Sequence, residues 1–310
     1  MFLGFLVVKN VKIGLRMKKT IAIFSIVSVL MLIPTVSTKA AFIVTSPEKV
    51  IQGEPLKIVI EKNVGEENAG TPVSILNIKT LLFDGKPIPF FVLDKKPTAF
   101  YGIDLAKKPG DYKISLELVD GTTAEKIVTI LKREKKDAPL GIPPKLGGNT
   151  PSAATNLVSG LVSENDILNK LWTNPRALWT EKFIFPLDNS VVVDAYGYNR
   201  QTGQYQIAHK GTDFRATEGT KVKAMNRGVA RLVRNFKEYG GTVVVDHGMG
   251  LMTFYMHLSK ISVKEGYVVE RGQEVGKSGE TGYALSPHLH LSLRINSTSI
   301  DPIKFMEFFK

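Results

Sequence analysis

The chain has 310 residues, 43% of them hydrophobic and 23% charged, which suits two globular domains with sizeable cores. It holds no cysteine, which excludes disulfides, thiolate zinc sites, a cysteine nucleophile and a cysteine-borne lipid anchor. Its formal net charge is +12, but Lys9, Lys12, Arg16, Lys18, Lys19 and Lys39 lie in the first 40 residues with no acid among them, and without that segment the charge falls to +6. This modest excess suits an anionic cell envelope; no stripe of Lys and Arg with interleaved aromatics points to nucleic acid.

Residues 1–40 have the layout of a secretory leader. Met17, Lys18 and Lys19 give a basic start, and Ile21 to Ile33 form an apolar run broken by two serines. The small residues up to Ala40 and Ala41 supply a cleavage site. The run is shorter than the ~18–20 residues of a membrane span. A secreted or envelope-associated protein with no stable span after processing is therefore expected. Residues 1–16 read as sequence upstream of the start at Met17.

Residues 41–133 predict a mainly β, immunoglobulin-like sandwich. Leu56, Ile58 and Ile60 alternate with Lys57, Val59 and Glu61, and Ile114, Leu116 and Leu118 alternate with Lys113, Ser115 and Glu117. Turn residues recur at Asp84-Gly85, Pro109-Gly110 and Asp120-Gly121. Tyr112 resembles the corner tyrosine of such sandwiches. The module either binds or positions something, or acts as a spacer. Residues 134–181 read as a linker rich in charge, Pro and Gly, followed by a connecting helix. Leu157, Leu161, Ile167, Leu168 and Leu171 carry its spacing over 153–171. Residues 182–310 are β-rich again and close with a short helix over Pro302 to Phe309. Within them Gly219 to Gly228 is weakly echoed by Gly266 to Gly272.

All five histidines lie in this last third: His209, His247, His257, His288 and His290. In the stretch His288 to Arg294 the residues alternate, Leu289, Leu291 and Leu293 on one face and His288, His290, Ser292 and Arg294 on the other. Its two histidines lie roughly 6.5–7 Å apart along a strand. Leu251 to Leu258 alternates too, which predicts Met252, Phe254, Met256 and Leu258 on a core face and Thr253, Tyr255 and His257 on a polar one. In His209-Lys-Gly-Thr-Asp213 the first and last residues would stand ~13 Å apart in an extended strand, so Gly211 must turn the backbone for them to converge. Catalytic zinc takes three protein ligands plus water. His209, Asp213 and one of His288 and His290 make that set, which implies a zinc hydrolase. No His-Glu-x-x-His motif supplies a glutamate base, so the remaining histidines are the candidates for that role.

These residues resemble the lysostaphin-like (LytM-type) zinc metallopeptidases over roughly 183–305. The resemblance rests on His209-x-x-x-Asp213, Tyr255-x-His257-Leu258 and Pro287-His-Leu-His290, with the Val245 to Gly248 turn and the Gly279-x-x-Gly282 loop. It implies a C-terminal antiparallel β peptidase domain of the duplicated hybrid motif type over 182–310. His209, Asp213 and His290 would bind Zn2+, and His257 and His288 would be catalytic. The implied activity is that of a secreted zinc metalloendopeptidase, its partner the peptide substrate of peptidoglycan. One departure is Ser292, where the family often has an acid. A non-catalytic envelope scaffold or regulator is the alternative reading; a lipoyl-type carrier would leave the histidines unexplained. His247 is expected to be structural within a turn at 246–250, Tyr255 is read equally as a packing residue, Tyr205 is a candidate oxyanion donor, and Gly279 and Gly282 are expected to shape a turn.

Overall fold

The computed structural model describes residues 41–62 and 73–310, so the leader expected over residues 1–40 lies outside the described residues. No helix among the described residues is long and apolar enough to cross a membrane. The chain is mainly β, as expected.

The first part is two facing sheets. One holds four strands in the order Ala41–Ser46, Pro55–Lys62, Lys96–Gly102, Phe91–Leu93; the other holds five, in the order Lys49–Ile51, Thr123–Leu131, Gly110–Leu118, Ile78–Phe83, Lys86–Pro87. The alternation seen in the sequence is the cause. Leu56, Ile58 and Ile60 point inward and meet Ile114, Leu116 and Leu118, all of them buried, while their neighbours face out. The Tyr112 hydroxyl donates 2.7 Å to the carbonyl of Lys108, the backward bond expected of a corner tyrosine.

The connecting helix runs Pro151–Asn169, two residues earlier than the apolar spacing predicts. Thr150 sets its start. The Thr150 hydroxyl accepts from the Ala153 N–H, and Pro151 occupies the first turn, where its missing N–H costs nothing. The closing helix is Pro302–Met306 followed by a 3-10 turn, Glu307–Phe309, and Asp301 caps it by accepting from the N–H groups of Ile303 and Lys304.

Residues 192–300 build the large antiparallel sheet that carries the histidines. Its order is Val192–Asp194, Thr212–Arg215, His288–Ile295, Leu251–Leu258, Gly241–Gly248, Gly228–Asn235, Val268–Val269, with Thr298–Ile300 paired to His288–Ile295. One face packs Phe214, Leu289, Leu291, Leu293, Tyr255, Val243 and Val245 into the main core. Phe91 and Phe100 of the first part enter the same core, with ring centroids 5.1 Å from Trp179 and 5.6 Å from Phe305 respectively. Arg133 lies between Glu54 and Asp301, at 3.7 and 3.6 Å, and tightens that junction. The described residues thus belong to one compact unit.

His247 sits inside the Gly241–Gly248 strand, fully buried, rather than in a turn; the left-handed turn begins one residue later, at Gly248. The carbonyl of Arg227 accepts from its Nδ1–H at 2.9 Å, and Nε2 lies 2.9 Å from the Thr253 hydroxyl. Burial pushes its pKa down to about 4, from 6.5. The unfolded chain therefore takes up a proton between pH 6.5 and 4 that the native state refuses, and stability falls as the pH drops through this window. The expected loss from this group between pH 7 and pH 5 is about 2 kcal/mol. Urea melts of the wild type and His247→Asn at both pH values isolate it. Equal losses in the two proteins would refute this origin.

Candidate metal centre

The site forms where two strands pair. Thr212–Arg215 and His288–Ile295 run antiparallel with Asp213 opposite His290 and Arg215 opposite His288. Directly opposed residues share a face, so Asp213 and His290 stand side by side over the sheet. Their leucine and phenylalanine neighbours fall into the core beneath. The His290 Nδ1 is 2.7 Å from Asp213 Oδ1.

His209 follows the Tyr205–Ala208 strand and swings in from the side. Its Nε2 is 3.1 Å from Asp213 Oδ1 and 3.1 Å from His290 Nδ1. Gly211 allows this: a Cβ there would lie 2.3 Å from His290 Nε2 and 2.8 Å from the Leu291 carbonyl. The turn expected at Gly211 is thus also a close approach that no other residue permits.

Each donor atom is aimed by its other side. His209 donates its Nδ1–H to the Ala195 carbonyl at 2.9 Å, which leaves Nε2 as a lone-pair donor toward the cluster. Asp213 turns Oδ1 to the histidines and receives Arg200 at 2.6 Å on Oδ2. Arg200 also reaches Asp194 at 2.6 Å. Burial alone would raise the Asp213 pKa. His209 and His290 outweigh it by charge and hydrogen bonding, and hold the carboxyl well below its usual range. Burial also lowers the His290 pKa to about 4, against the pull of Asp213, which keeps its ring a neutral donor. Two imidazole nitrogens and one carboxylate oxygen therefore converge. Tetrahedral zinc with bonds of 2.0–2.1 Å spaces its ligands about 3.3 Å apart, close to the separations here. The donor set fits that ion.

His257 and His288 stand beside this triad. Their ring centroids are 4.9 Å apart, and His257 is 5.8 Å from His290. Each donates its Nδ1–H at 2.8 Å to a carbonyl, His257 to Thr281 and His288 to Ser286, so each keeps a lone pair on Nε2. His288 Nε2 lies 3.8 Å from Asp213 Oδ1. Burial, then His288 and His290, hold His257 well below its usual pKa, so it stays neutral.

The route by which His257 arrives differs from the expectation. Strand alternation predicts Tyr255 and His257 on one polar face. In the structure Met256 is opposite His290, Phe254 opposite Ser292 and Met252 opposite Arg294. The even-numbered residues therefore share the site's face. Tyr255 points into the main core, where its hydroxyl accepts from the Met225 N–H at 2.8 Å, so it packs rather than serving the site. His257 should follow it into the core but has φ of +60°, and the pairing slips between Gly241 and Val243. This bulge puts His257 beside His288 and His290. A left-handed backbone costs a residue with a Cβ on the order of 1–2 kcal/mol and persists where the surroundings enforce it.

Residues 207–302 match the model of peptidase family M23. The chain carries an M23 peptidase domain. Over 96 residues it is 45% identical to the peptidoglycan DD-endopeptidase ShyA of Vibrio cholerae, an alignment that covers 31% of this chain and 22% of ShyA. Over 125 residues it is 38% identical to lysostaphin of Staphylococcus simulans, covering 36% of this chain and 24% of that one. The chain thus spans less than a quarter of the length of either relative. A putative peptidase M23 from Pseudomonas aeruginosa, known from its crystal structure, aligns over 83% of this chain and 95% of its own at 25% identity, with a TM-score of 0.58.

The clustered histidines and Asp213 lie between two cavities, each of about 350 Å³. His209, His257 and His290 line the first together with Val158, Leu161 and Asn165 of the connecting helix. Asp213 and His288 line the second with Val193 and Leu285. Arg200 and Tyr283 border both. Tyr205, the expected oxyanion donor, instead meets the Thr155 hydroxyl at 3.2 Å and lines neither cavity. Tyr283 takes the place at the cavity edge, its hydroxyl 2.8 Å from Thr202. The sequence reading missed Arg200, Asp194 and Tyr283, because nothing local marks residues whose role comes from a hairpin folding back. Ser292, the departure noted in the sequence, donates at 2.8 Å to the Lys210 carbonyl, and Ser299 does the same. Two hydroxyls thereby pin the turn behind His209. Gly279 bridges to His288 and Gly282 takes a left-handed φ of +68°; the loop between them presents the Thr281 carbonyl to His257.

Proposed function

We propose that this protein is a zinc metalloendopeptidase that hydrolyses peptide cross-links of bacterial peptidoglycan and works outside the cytoplasm. The observation that carries this reading is the pairing of a largely buried two-imidazole, one-carboxylate donor set with two further histidine rings beside it, each with its Nδ1–H committed to a backbone carbonyl. In this reading His209, Asp213 and His290 hold zinc, and His257 and His288 serve the chemistry. The likeness to ShyA, a peptidoglycan DD-endopeptidase, supports the substrate class. The leader composition of residues 1–40 supports export. The proposed division is leader 1–40, sandwich 41–133, linker and helix 134–181, and peptidase domain 182–310.

A bound zinc ion would supply Lewis acidity, polarising the scissile carbonyl and acidifying water. The protein moves the protons. His257 and His288 both reach the cleft with Nδ1–H already committed to a carbonyl, so Nε2 is the atom that accepts a proton from the attacking water. Once protonated there, the ring can bond the oxyanion and then pass the proton to the departing amine. The Asp213 carboxylate lies 3.8 Å from the His288 Nε2. Arg200 donates to the other carboxylate oxygen and holds Asp213 in orientation.

A zymogram on purified peptidoglycan tests the reading. The full chain is expected to clear the gel, to stop when a chelator is added, and to recover with zinc. Mass spectrometry of the released muropeptides then identifies the bond cut. A protein that binds zinc stoichiometrically yet leaves peptidoglycan intact would sink the endopeptidase reading in favour of a scaffold or regulator.

A further inference from the structure

The connecting helix Pro151–Asn169 lies outside the M23 match, yet it docks on the turn that holds His257. Glu164, on the helix's buried side, points its carboxylate at that turn. Its Oε1 accepts from the Glu238 N–H and its Oε2 from the Tyr239 N–H, both at 2.9 Å. The Tyr239 carbonyl in turn accepts from the His257 N–H at 3.1 Å, and the Glu238 carbonyl accepts from the Tyr283 N–H at 2.7 Å. One turn earlier, Gly160 makes room: a Cβ there would lie 2.6 Å from Glu238 Oε1. A glycine inside a helix weakens it, so its presence opposite Glu238 marks a fitted contact. The helix C-terminus is secured separately, where Arg294 donates to Asn165 and Asn169 at 2.8 and 2.7 Å.

The strain at His257 gives this docking its meaning. A left-handed histidine reverts to an ordinary strand conformation unless several contacts fix it. Reversion would return its side chain to the core face, away from His288 and His290. Two of the contacts that prevent this come from the peptidase domain itself, through the Thr281 and Tyr239 carbonyls. The second depends on the 238–239 turn, whose two N–H groups find their acceptors in Glu164. Without Glu164 those buried donors are orphaned and the turn must move toward water.

We propose that Glu164 is a positioning residue for His257, acting through the Tyr239 carbonyl, so that a helix outside the matched domain sets the posture of a histidine inside it. The inference rests on the proton-transfer role proposed for His257.

The test uses the full chain as wild type, Glu164→Ala, Glu164→Gln and Asn169→Ala. Asn169 anchors the same helix but lines neither cavity. Amide hydrogen exchange is read with and without zinc. Glu164→Ala is expected to lose protection at Glu238, Tyr239 and His257, to keep full zinc stoichiometry and KM, and to lose about 10–100-fold in kcat. Glu164→Gln, which keeps one acceptor, should fall between; it carries the same comparison should the alanine variant not fold. Asn169→Ala should melt earlier but keep kcat and the His257 protection. Wild-type protection and kcat in Glu164→Ala overturn the proposal. So does lost protection with kcat retained, and so does an equal kcat loss in Asn169→Ala. If the wild type cleaves no peptidoglycan, the peptidase reading fails by itself, while the exchange data still decide whether Glu164 holds His257.

Discussion

Replacing His290 by alanine is expected to remove bound zinc and peptidoglycan cleavage together. His290 supplies one corner of the donor triangle, 2.7 Å from Asp213 Oδ1 and 3.1 Å from His209 Nε2. Without it two donors remain, one short of the three protein ligands of a catalytic zinc site. Loss of an outer partner of a ligand costs about 10–100-fold in affinity or activity, and loss of a ligand itself should exceed that. The Asp213 carboxylate stays paired with Arg200, so the fold should survive. Metal analysis after dialysis, beside a circular dichroism melt, checks both statements. A folded His290→Ala protein that keeps one zinc per chain would show that His290 is not a ligand.

Replacing His257 by alanine is expected to separate binding from catalysis. Zinc should stay, because His257 contributes no atom to the converging triad. Cleavage should fall by about 10²–10⁴-fold, the usual size of a lost general acid or base. The residual rate should come from His288, which keeps its Nε2 facing the site. Rate and zinc content measured on the same preparation decide the matter. Near wild-type turnover in His257→Ala would transfer the proton-handling role to His288 alone.

The two variants probe different layers of the site, and the layers were unequally legible in the sequence. His209-x-x-x-Asp213 and His288-Leu-His290 could be read because each is short, and because the leucines of the second mark a core face as plainly as the histidines mark the other. Their convergence follows from one register, Asp213 opposite His290. Arg200 could not be read this way. It lies nine residues before His209, in a strand that only its hairpin turns toward Asp213. Tyr205 illustrates the opposite error: its nearness in sequence to His209 suggested a site role, but the hairpin carries it to Thr155 instead.

Local pattern alone made legible the mainly β character, the alternating core of the sandwich, the extent of the connecting helix to within two residues, and the residue types of the His/Asp donor cluster. These follow from side-chain periodicity, turn residues and ligand chemistry, all of which are local. That His257 and Tyr255 part company became visible only in the fold. Alternation placed both on the polar face; His257 does stand at the site, but Tyr255 turns into the core, and a bulge against the Gly241–Gly248 strand separates them. A bulge is a mismatch between two strands, so neither strand contains it alone. For the same reason the contact from Glu164 to the turn before His257, across more than seventy residues of chain, exists only once the sheet has formed and the helix has packed upon it.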